Sequence, residues 1–294
     1  MKTGPVSQRE SALSGVQVEE GIVRFSRELM GTVASMAFPA RALRREAVEA
    51  AFSRLHEIDA RFSPYLPSSE ISRIGRGEIQ ISEAHPEVAT ILQACEALRV
   101  ESDGRFSAWG FRADGRLDPS GYVKGWAIEE AAAKLRAGGA SDFVVSIGGD
   151  LYAAGAPDTA DGFDTAGGSG AEPANLAHGW GVGVVDPANA TAIVAPLRVK
   201  DRAVATSGLA ERGAHIIDAR SRRSAHEWRS LTVVHPSAAR ADAAATVGIL
   251  MGEDALAWID RDPAAAAFGV YRDGRLAWTP RMDRYLAGRE IAPS

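Results

Sequence analysis

Two polar residues interrupt a segment of small apolar residues in the last quarter of the chain. Asp242 and Thr246 lie four positions apart, and this spacing places two side chains on the same face of a helix. A buried carboxylate needs a partner, and a hard cation held by both side chains and a backbone carbonyl would supply one. Taken alone, Asp242 could instead stabilise the positive end of its helix, and Thr246 could face solvent.

Lys124 and His215 are two further residues whose types could serve a reaction. Lys124 ends a turn into a helix, Leu117-Asp-Pro-Ser-Gly-Tyr-Val-Lys, and such a turn can offer backbone groups and a positive charge to a phosphate. His215 lies in the apolar run 214–218, and histidine titrates near neutral pH. The alternatives stay open at this point, since a lysine at a helix start is commonly solvated and a histidine in a strand is commonly structural.

Other common chemistries are excluded by what the sequence lacks. It contains no G-x-x-x-x-G-K-[ST] loop, no G-x-S-x-G turn and no H-E-x-x-H pair. The single cysteine, Cys95, rules out an intramolecular disulfide and a cysteine-rich zinc site. Its place on the apolar face of a helix predicts a buried thiol. With 33 Lys and Arg against 38 Asp and Glu, the net charge of −5 argues against nucleic-acid binding through bulk positive charge.

Helices are predicted where apolar residues recur at three- and four-residue spacing. One helix carries Val48, Phe52, Leu55, Ile58 and Phe62 on one face and ends at Ser63-Pro64. A second covers about 86–100, with a buried face made of Val88, Ile91, Leu92, Cys95 and Leu98. Further helices are predicted from Lys124 to about Ala137, ended by Gly138-Gly139, and over about 241–251 and 254–259.

Strands are predicted between these helices. Residues 23–38 favour two short strands around a turn at 28–31, with Val33 and Met36 as inward candidates. Further strands are predicted at 142–147, 180–185, 193–199, 214–218 and 230–235. Asp273-Gly274 indicates a hairpin with a type I′ turn over 268–278. Because helices and strands do not alternate strictly, the pattern favours an α+β fold over a doubly wound sheet.

The N-terminus and one interior segment are predicted to lie outside the packed core. Residues 1–21 read as a flexible leader that has neither the apolar region of a signal peptide nor a lipoprotein cysteine. The segment at about 156–179 is rich in Gly, Ala, Asp, Pro and Thr, and it predicts a surface insertion in a single domain over 22–294. No run approaches the roughly 18 apolar residues of a membrane helix. We therefore expect no membrane insertion and a cytoplasmic location.

Eight ordered blocks resemble the ApbE family of flavin transferases, and the resemblance runs from about Val23 to Arg281. The blocks are Met30-Gly-Thr32, Phe62-Ser-Pro-Tyr-Leu-Pro-Ser-Ser-Glu-Ile-Ser-Arg73, Trp109-Gly-Phe111, Leu117-Asp-Pro-Ser-Gly-Tyr-Val-Lys-Gly125, Gly148-Gly-Asp150, Ala205-Thr-Ser-Gly208, His215-Ile-Ile-Asp218 and Ala241-Asp-Ala-Ala-Ala-Thr246. The resemblance implies an α+β, T-fold-like architecture with FAD in a cleft between two lobes. It also implies a Mg²⁺-dependent reaction that splits FAD at its pyrophosphate. FMN is joined through a phosphoester to a threonine or serine hydroxyl of an acceptor protein, and AMP leaves.

The resemblance further implies roles for particular residues. His215 would act as the general base toward the acceptor hydroxyl, a form of assistance that contributes about 10²–10⁴-fold. The Mg²⁺ ligands would be the side chains of Asp242 and Thr246 and the main-chain oxygen of Gly121. The FAD contacts would be Met30, Tyr65, Ser107, Ala108, Trp109, Asp118, Lys124 and Ile216, with the Tyr65 ring as a flat surface for the flavin or the adenine.

The sequence also departs from the family pattern. Ser146 stands where the family has an asparagine two residues before the Gly-Gly pair, Ala219 replaces a proline and Pro119 a leucine. The segment between Phe106 and Trp109 is shorter than in the family. Two alternatives to the transferase are therefore kept, a Mg²⁺-dependent hydrolase that cuts FAD to FMN and AMP, and a non-catalytic FAD-binding or flavin-carrier protein.

Overall fold

The computed structural model describes residues 16–19, 21–109, 115–157, 179–208, 218–221 and 227–287. The strands are β1 Val16–Glu19, β2 Ile22–Leu29, β3 Thr32–Pro39, β4 Phe143–Ile147, β5 Asp150–Ala154, β6 Trp180–Asp186, β7 Asn189–Val199, β8 Arg202–Gly208, β9 Trp228–His235, β10 Ala266–Tyr271 and β11 Leu276–Trp278. The helices are α1 Arg45–Phe62, α2 Glu70–Gly75, α3 Pro86–Glu101, α4 Ser120–Ala137, α5 Ala238–Met251 and α6 Ala255–Ile259.

Nine of these strands form one sheet in the order β1-β2-β3-β4-β5-β8-β9-β10-β11, and every pair in it is antiparallel. The two strands missing from this order, β6 and β7, pair with each other as a separate antiparallel hairpin. Side chains of a strand alternate between the two faces of a sheet. Along β8, Ala203 and Ala205 face one apolar cluster and Val204 faces another. The sheet is therefore buried on both faces in its centre.

Helices cover one face of the sheet and the β6–β7 hairpin covers the other. Helix α4 packs between α1 and α5, and α5 contacts β8 and β9. The core on this side includes Phe52, Ile128 and Val233, whereas Trp180 and Phe268 belong to the cluster on the hairpin side. This three-layer arrangement of helices, antiparallel sheet and hairpin confirms the α+β class.

The helix predictions are confirmed, with two early starts. The five predicted face residues of α1 are buried, and the helix ends at Phe62. Helix α4 begins at Ser120 rather than Lys124. Pro119 is its N-cap residue, and Asp118, one residue earlier, accepts the Ser120 N–H of the first turn at 2.9 Å. Helix α5 begins at Ala238 rather than 241, because Ser237 caps it through the backbone N–H of Arg240.

Two strand predictions need correction, and two strands were missed. Val33 is 52% exposed while Met36 is fully buried, because an odd spacing places two residues of a strand on opposite faces. The hairpin at 268–278 forms, but only Gly274 has a positive φ in its loop. The three-residue loop thus differs from the predicted type I′ turn, which needs positive φ at both central residues. Strands β5 and β8 were not predicted.

Some predicted segments lie outside the described residues. These are residues 1–15 and 20 of the predicted leader, 158–178 of the predicted insertion and 214–217 of one predicted strand. Within the predicted leader, Val16–Glu19 form β1 and pair with β2, so part of that segment belongs to the sheet. In the ranges that the structure describes, no helix is long and apolar enough to cross a membrane.

Candidate functional site

A buried cluster of charged side chains joins α4, β5 and α5. The Nζ atom of Lys124 lies 2.7 Å from Oδ2 of Asp150 and 3.8 Å from Oδ1 of Asp242. The two carboxylate side chains are only 2% and 3% exposed, and the lysine is 13% exposed. Asp150 also accepts the Thr206 N–H at 2.9 Å. The cluster therefore places two buried carboxylates around one ammonium, and the opposite charges offset part of the cost of their burial.

Gly125 brings α4 into contact with the first turn of α5. A Cβ atom at this position would lie 2.2 Å from the carbonyl oxygen of Ala238, so a residue without a side chain lets the two backbones approach. The Gly125 N–H donates to Oδ2 of Asp242 at 2.9 Å. In an α-helix the N–H of residue 125 points toward the carbonyl of residue 121. The contact therefore brings the Asp242 carboxylate to the first turns of α4, the helix that also carries Gly121, another of the three predicted metal ligands.

Thr246 is one helical turn further along α5 and is also buried, with 4% of its surface exposed. Its Oγ1 lies 3.2 Å from Oγ of Ser207 on β8. The predicted ligand set of carboxylate, hydroxyl and carbonyl consists of hard oxygen donors, which suit Mg²⁺. Because the Asp242 carboxylate and the Thr246 hydroxyl are both buried oxygen donors, this donor chemistry fits a divalent cation. The described residues contain no group of three or more His, Cys, Asp or Glu that could hold a metal ion. The predicted site differs from such a group, because it has one carboxylate beside a hydroxyl and a backbone carbonyl.

Lys124 also lines an open pocket on the surface of the protein. The walls come from the β2–β3 turn, the end of α1 with the loop after it, the first turns of α4 and the end of β4. The pocket is lined by Met30, Thr32, Asp59, Phe62, Ser63, Pro64, Tyr65, Ser120, Val123, Lys124 and Ile147. Three predicted FAD contacts, Met30, Tyr65 and Lys124, are thus brought together.

Four other predicted FAD contacts are not among the residues that line this pocket. Asp118 is buried, accepts the Ser120 N–H through its side chain, and donates its own N–H to the Ala108 carbonyl at 2.8 Å. Ala108 is buried, Ser107 is partly buried and Trp109 is half exposed. Asp118 therefore positions the start of α4, and through it Lys124. The FAD contacts of these four residues stay predictions.

His215 and Ile216 lie outside the described residues, so their proposed roles stay predictions as well. Asp218, the last residue of the same block, is described and buried. Burial by itself raises the pKa of Asp218, but two backbone N–H groups just after it and the Arg105 guanidinium outweigh that effect and lower the pKa below its usual range. Arg105 also donates to the Leu250 carbonyl of α5 at 3.3 Å.

The single cysteine is confirmed as a core thiol. Cys95 is buried in α3, and burial, with a smaller contribution from the Asp118 charge, raises its pKa to about 12. A thiol with this pKa remains protonated near neutral pH and is a poor nucleophile. We therefore place Cys95 outside the reactive chemistry.

Sequence reasoning missed Asp150, Thr206 and Ser207 as site residues, although two of the resembling blocks contain them. The available signal was the Gly148-Gly149 pair directly before Asp150. Both glycines have positive φ, of 56° and 91°, so the chain reverses tightly and β5 starts with Asp150. Thr206 and Ser207 lie on β8, the strand that pairs with β5. They could not be assigned without that pairing.

The structure thus defines an α+β protein with a helical layer on an antiparallel sheet, in which an oxygen-rich buried cluster borders an open pocket through Lys124. A profile of the ApbE family matches residues 30–109 and 110–268, which is most of the chain. The chain belongs to the ApbE family.

Solved structures of other proteins share this fold. The ApbE protein of Thermotoga maritima aligns with a TM-score of 0.73 at 20% identity, over 91% of this chain and 100% of that one. The flavin transferase ApbE of Vibrio cholerae aligns with a TM-score of 0.69 at 18% identity, over 90% and 97%. The flavinyl transferase ApbE of Pseudomonas stutzeri aligns with a TM-score of 0.69 at 20% identity, over 94% and 99%. At these identities the similarity establishes the fold.

A curated relative is also similar in sequence. The FAD:protein FMN transferase of Rhodobacter capsulatus is 27% identical over an alignment that covers 72% of this chain and 47% of the relative. The chain spans about half the length of this relative.

Proposed function

We propose that this chain is a Mg²⁺-dependent FAD:protein FMN transferase. It would attach FMN from FAD through a phosphoester to a threonine or serine hydroxyl of an acceptor flavoprotein and release AMP. The observation that carries the proposal is the position of Lys124, which belongs both to the buried cluster with Asp150 and Asp242 and to the lining of the pocket. Membership of the ApbE family and the activity of the Rhodobacter capsulatus relative support the same conclusion.

The residues of this chain can be given roles on that basis. Asp242, Thr246 and the Gly121 carbonyl would hold Mg²⁺, which would supply charge neutralisation for the pyrophosphate oxygens. Lys124 adds a fixed positive charge that needs no reorganisation during the reaction, because Asp150 already orients its ammonium. Tyr65, 66% exposed at the pocket, offers its ring to the flavin or the adenine. We propose that this pocket is part of an FAD cleft between two lobes of a T-fold-like architecture.

His215 would remove the proton from the acceptor hydroxyl. The acceptor oxygen then forms a bond to the phosphorus of the FMN portion, and the bond from that phosphorus to the bridging oxygen breaks. AMP leaves with the bridging oxygen, and the proton held by His215 is released to solvent. If transfer by His215→Ala stays near the wild-type rate, His215 is structural.

The transferase is tested by incubating the purified chain with FAD, MgCl₂ and a candidate acceptor flavoprotein, followed by a denaturing gel. We expect a fluorescent flavin band on the acceptor, and Asp242→Ala should abolish it. Asp254→Ala is the matched control, since Asp254 is exposed a few residues beyond α5, and it should transfer like the wild type. FAD binding without transfer to any co-encoded flavoprotein would refute the transferase.

The same samples separate the two alternatives. AMP released in the absence of an acceptor indicates a hydrolase that uses water at the same site. FAD that stays bound and intact in the presence of MgCl₂, with no activity for Asp242→Ala to remove, indicates a flavin carrier. The cytoplasmic location stays a prediction from the sequence, and fractionation of cells that make the full protein would test it.

A further inference from the structure

The turn between β2 and β3 has a backbone conformation that its sequence does not favour. Leu29 pairs with Thr32, so Met30 and Gly31 are the two central residues of the hairpin turn. Their φ values are +55° and +70°, the signs of a type I′ turn, for which Asn-Gly and Gly-Gly are the preferred sequences. A non-glycine residue rarely adopts positive φ. It persists there only where the surrounding structure holds it.

Asp59 holds this turn from α1. Its Oδ2 accepts the Met30 N–H at 3.2 Å. The backbone N–H of a buried or partly buried residue needs a partner, and at this position the carboxylate supplies one. Asp59 lies in the last turn of α1, and both Asp59 and Met30 line the pocket that Lys124 borders.

The β2–β3 turn contacts the β4–β5 turn, which directly precedes Asp150. The Gly148 N–H donates to the Val33 carbonyl at 3.1 Å. A Cβ atom at Gly148 would lie 3.1 Å from Oγ1 of Thr32, so the two turns are in close contact. Asp150 follows two residues later and contacts Lys124. A displacement of the β2–β3 turn would therefore alter the pocket wall and disturb the contact between Asp150 and Lys124.

We propose that Asp59 is a positioning residue, which holds the Met30–Gly31 turn in the shape that binds FAD. It acts as a hydrogen-bond acceptor and not through its charge. The proposal rests on the proposed function, because FAD is the ligand. Glu49 offers a comparison on the same helix: it ties α1 to β2 through two 2.8 Å hydrogen bonds from Arg27, but it does not line this pocket.

The test measures how tightly the full chain binds FAD in MgCl₂, with the dissociation constant taken from the quenching of flavin fluorescence. The wild type is compared with Asp59→Ala, Asp59→Asn and Glu49→Ala. Asp59→Ala should bind FAD about tenfold more weakly, which corresponds to about 1.4 kcal/mol. Asp59→Asn should stay within about threefold of the wild type, because its amide oxygen accepts the same N–H. Glu49→Ala should bind FAD like the wild type. In the transferase assay, Asp59→Ala should have a higher KM for FAD than the wild type, and its kcat should change little.

A second measurement probes the conformation of the Met30–Gly31 turn in the absence of FAD. Amide hydrogen exchange at Met30 should be faster in Asp59→Ala than in the wild type, and unchanged in Asp59→Asn. The proposal is overturned if Asp59→Ala binds FAD normally, or if Asp59→Asn binds as weakly as Asp59→Ala, because charge would then be the property that matters. If the wild type does not bind FAD, the proposed function fails, and the exchange rate at Met30 decides whether Asp59 holds the turn.

Discussion

Replacing Lys124 by methionine isolates the energetic role of the buried cluster. The substitution keeps most of the side-chain volume and removes the ammonium between Asp150 and Asp242, which are 2.7 and 3.8 Å away and almost fully buried. Removal of one partner from a buried ion pair costs about 3–5 kcal/mol, because the remaining charge is uncompensated. Lys124 keeps some exposure, so we expect the lower end, about 3 kcal/mol. At roughly 2–4 °C per kcal/mol, the melting temperature should fall by about 6–12 °C.

The assay is urea and thermal unfolding in EDTA, with Lys134→Met as the matched control. Lys134 lies on the same helix and is exposed, so its replacement should change stability by no more than about 0.5 kcal/mol. Adding Asp150→Asn to Lys124→Met removes one of the two carboxylates and should restore at least half of the loss. In a separate series without EDTA, Mg²⁺ at 100 times its dissociation constant should stabilise the wild type by about 2.7 kcal/mol. A loss below about 1 kcal/mol for Lys124→Met, or no recovery in the double variant, would refute the electrostatic account.

Three further outcomes follow from the packing and from the pKa shifts. Gly125→Ala should lower the free energy of unfolding in urea by about 1–3 kcal/mol, because a Cβ there would lie 2.2 Å from the Ala238 carbonyl oxygen. It should also weaken Mg²⁺ binding measured by calorimetry. Unchanged values would contradict the close approach of α4 and α5. Cys95 should resist iodoacetamide at pH 8 until urea unfolds the chain, since burial raises its pKa to about 12, and rapid alkylation of the native protein would disprove this. Burial lowers the pKa of His235, and the nearby Asp262 carboxylate opposes it only in part. The folded state therefore binds fewer protons than the unfolded chain, so stability present above about pH 6.5 is lost as the pH falls through the folded-state pKa. The urea midpoint of His235→Gln should depend less on pH between 5 and 7.5, and an unaltered dependence would exclude this contribution.

Local spacing made some elements predictable and left others hidden. Helix α1 was predictable because its five buried residues follow the helical period, and α5 because Asp242 and Thr246 stand at helical spacing in a segment of small apolar residues. Strand β8 was not predicted from the sequence because its centre, Ala203 to Ala205, is buried on both faces. Such a strand has no alternation of polar and apolar residues to report its period. Strand β5 escaped for the related reason that Tyr152, Ala153 and Ala154 are all buried.

The sequence by itself determined the family and the pairing of Asp242 with Thr246, because both depend on order and spacing along the chain. It also determined that Cys95 would be buried, from its place on an apolar helix face. The tertiary structure alone decided which carboxylates meet Lys124 and which one holds the β2–β3 turn. Strand pairing and the tight β4–β5 turn bring Asp150 to Lys124, and the packing of α1 brings Asp59 to the pocket. These contacts join residues far apart in the chain, so no local period in the sequence records them.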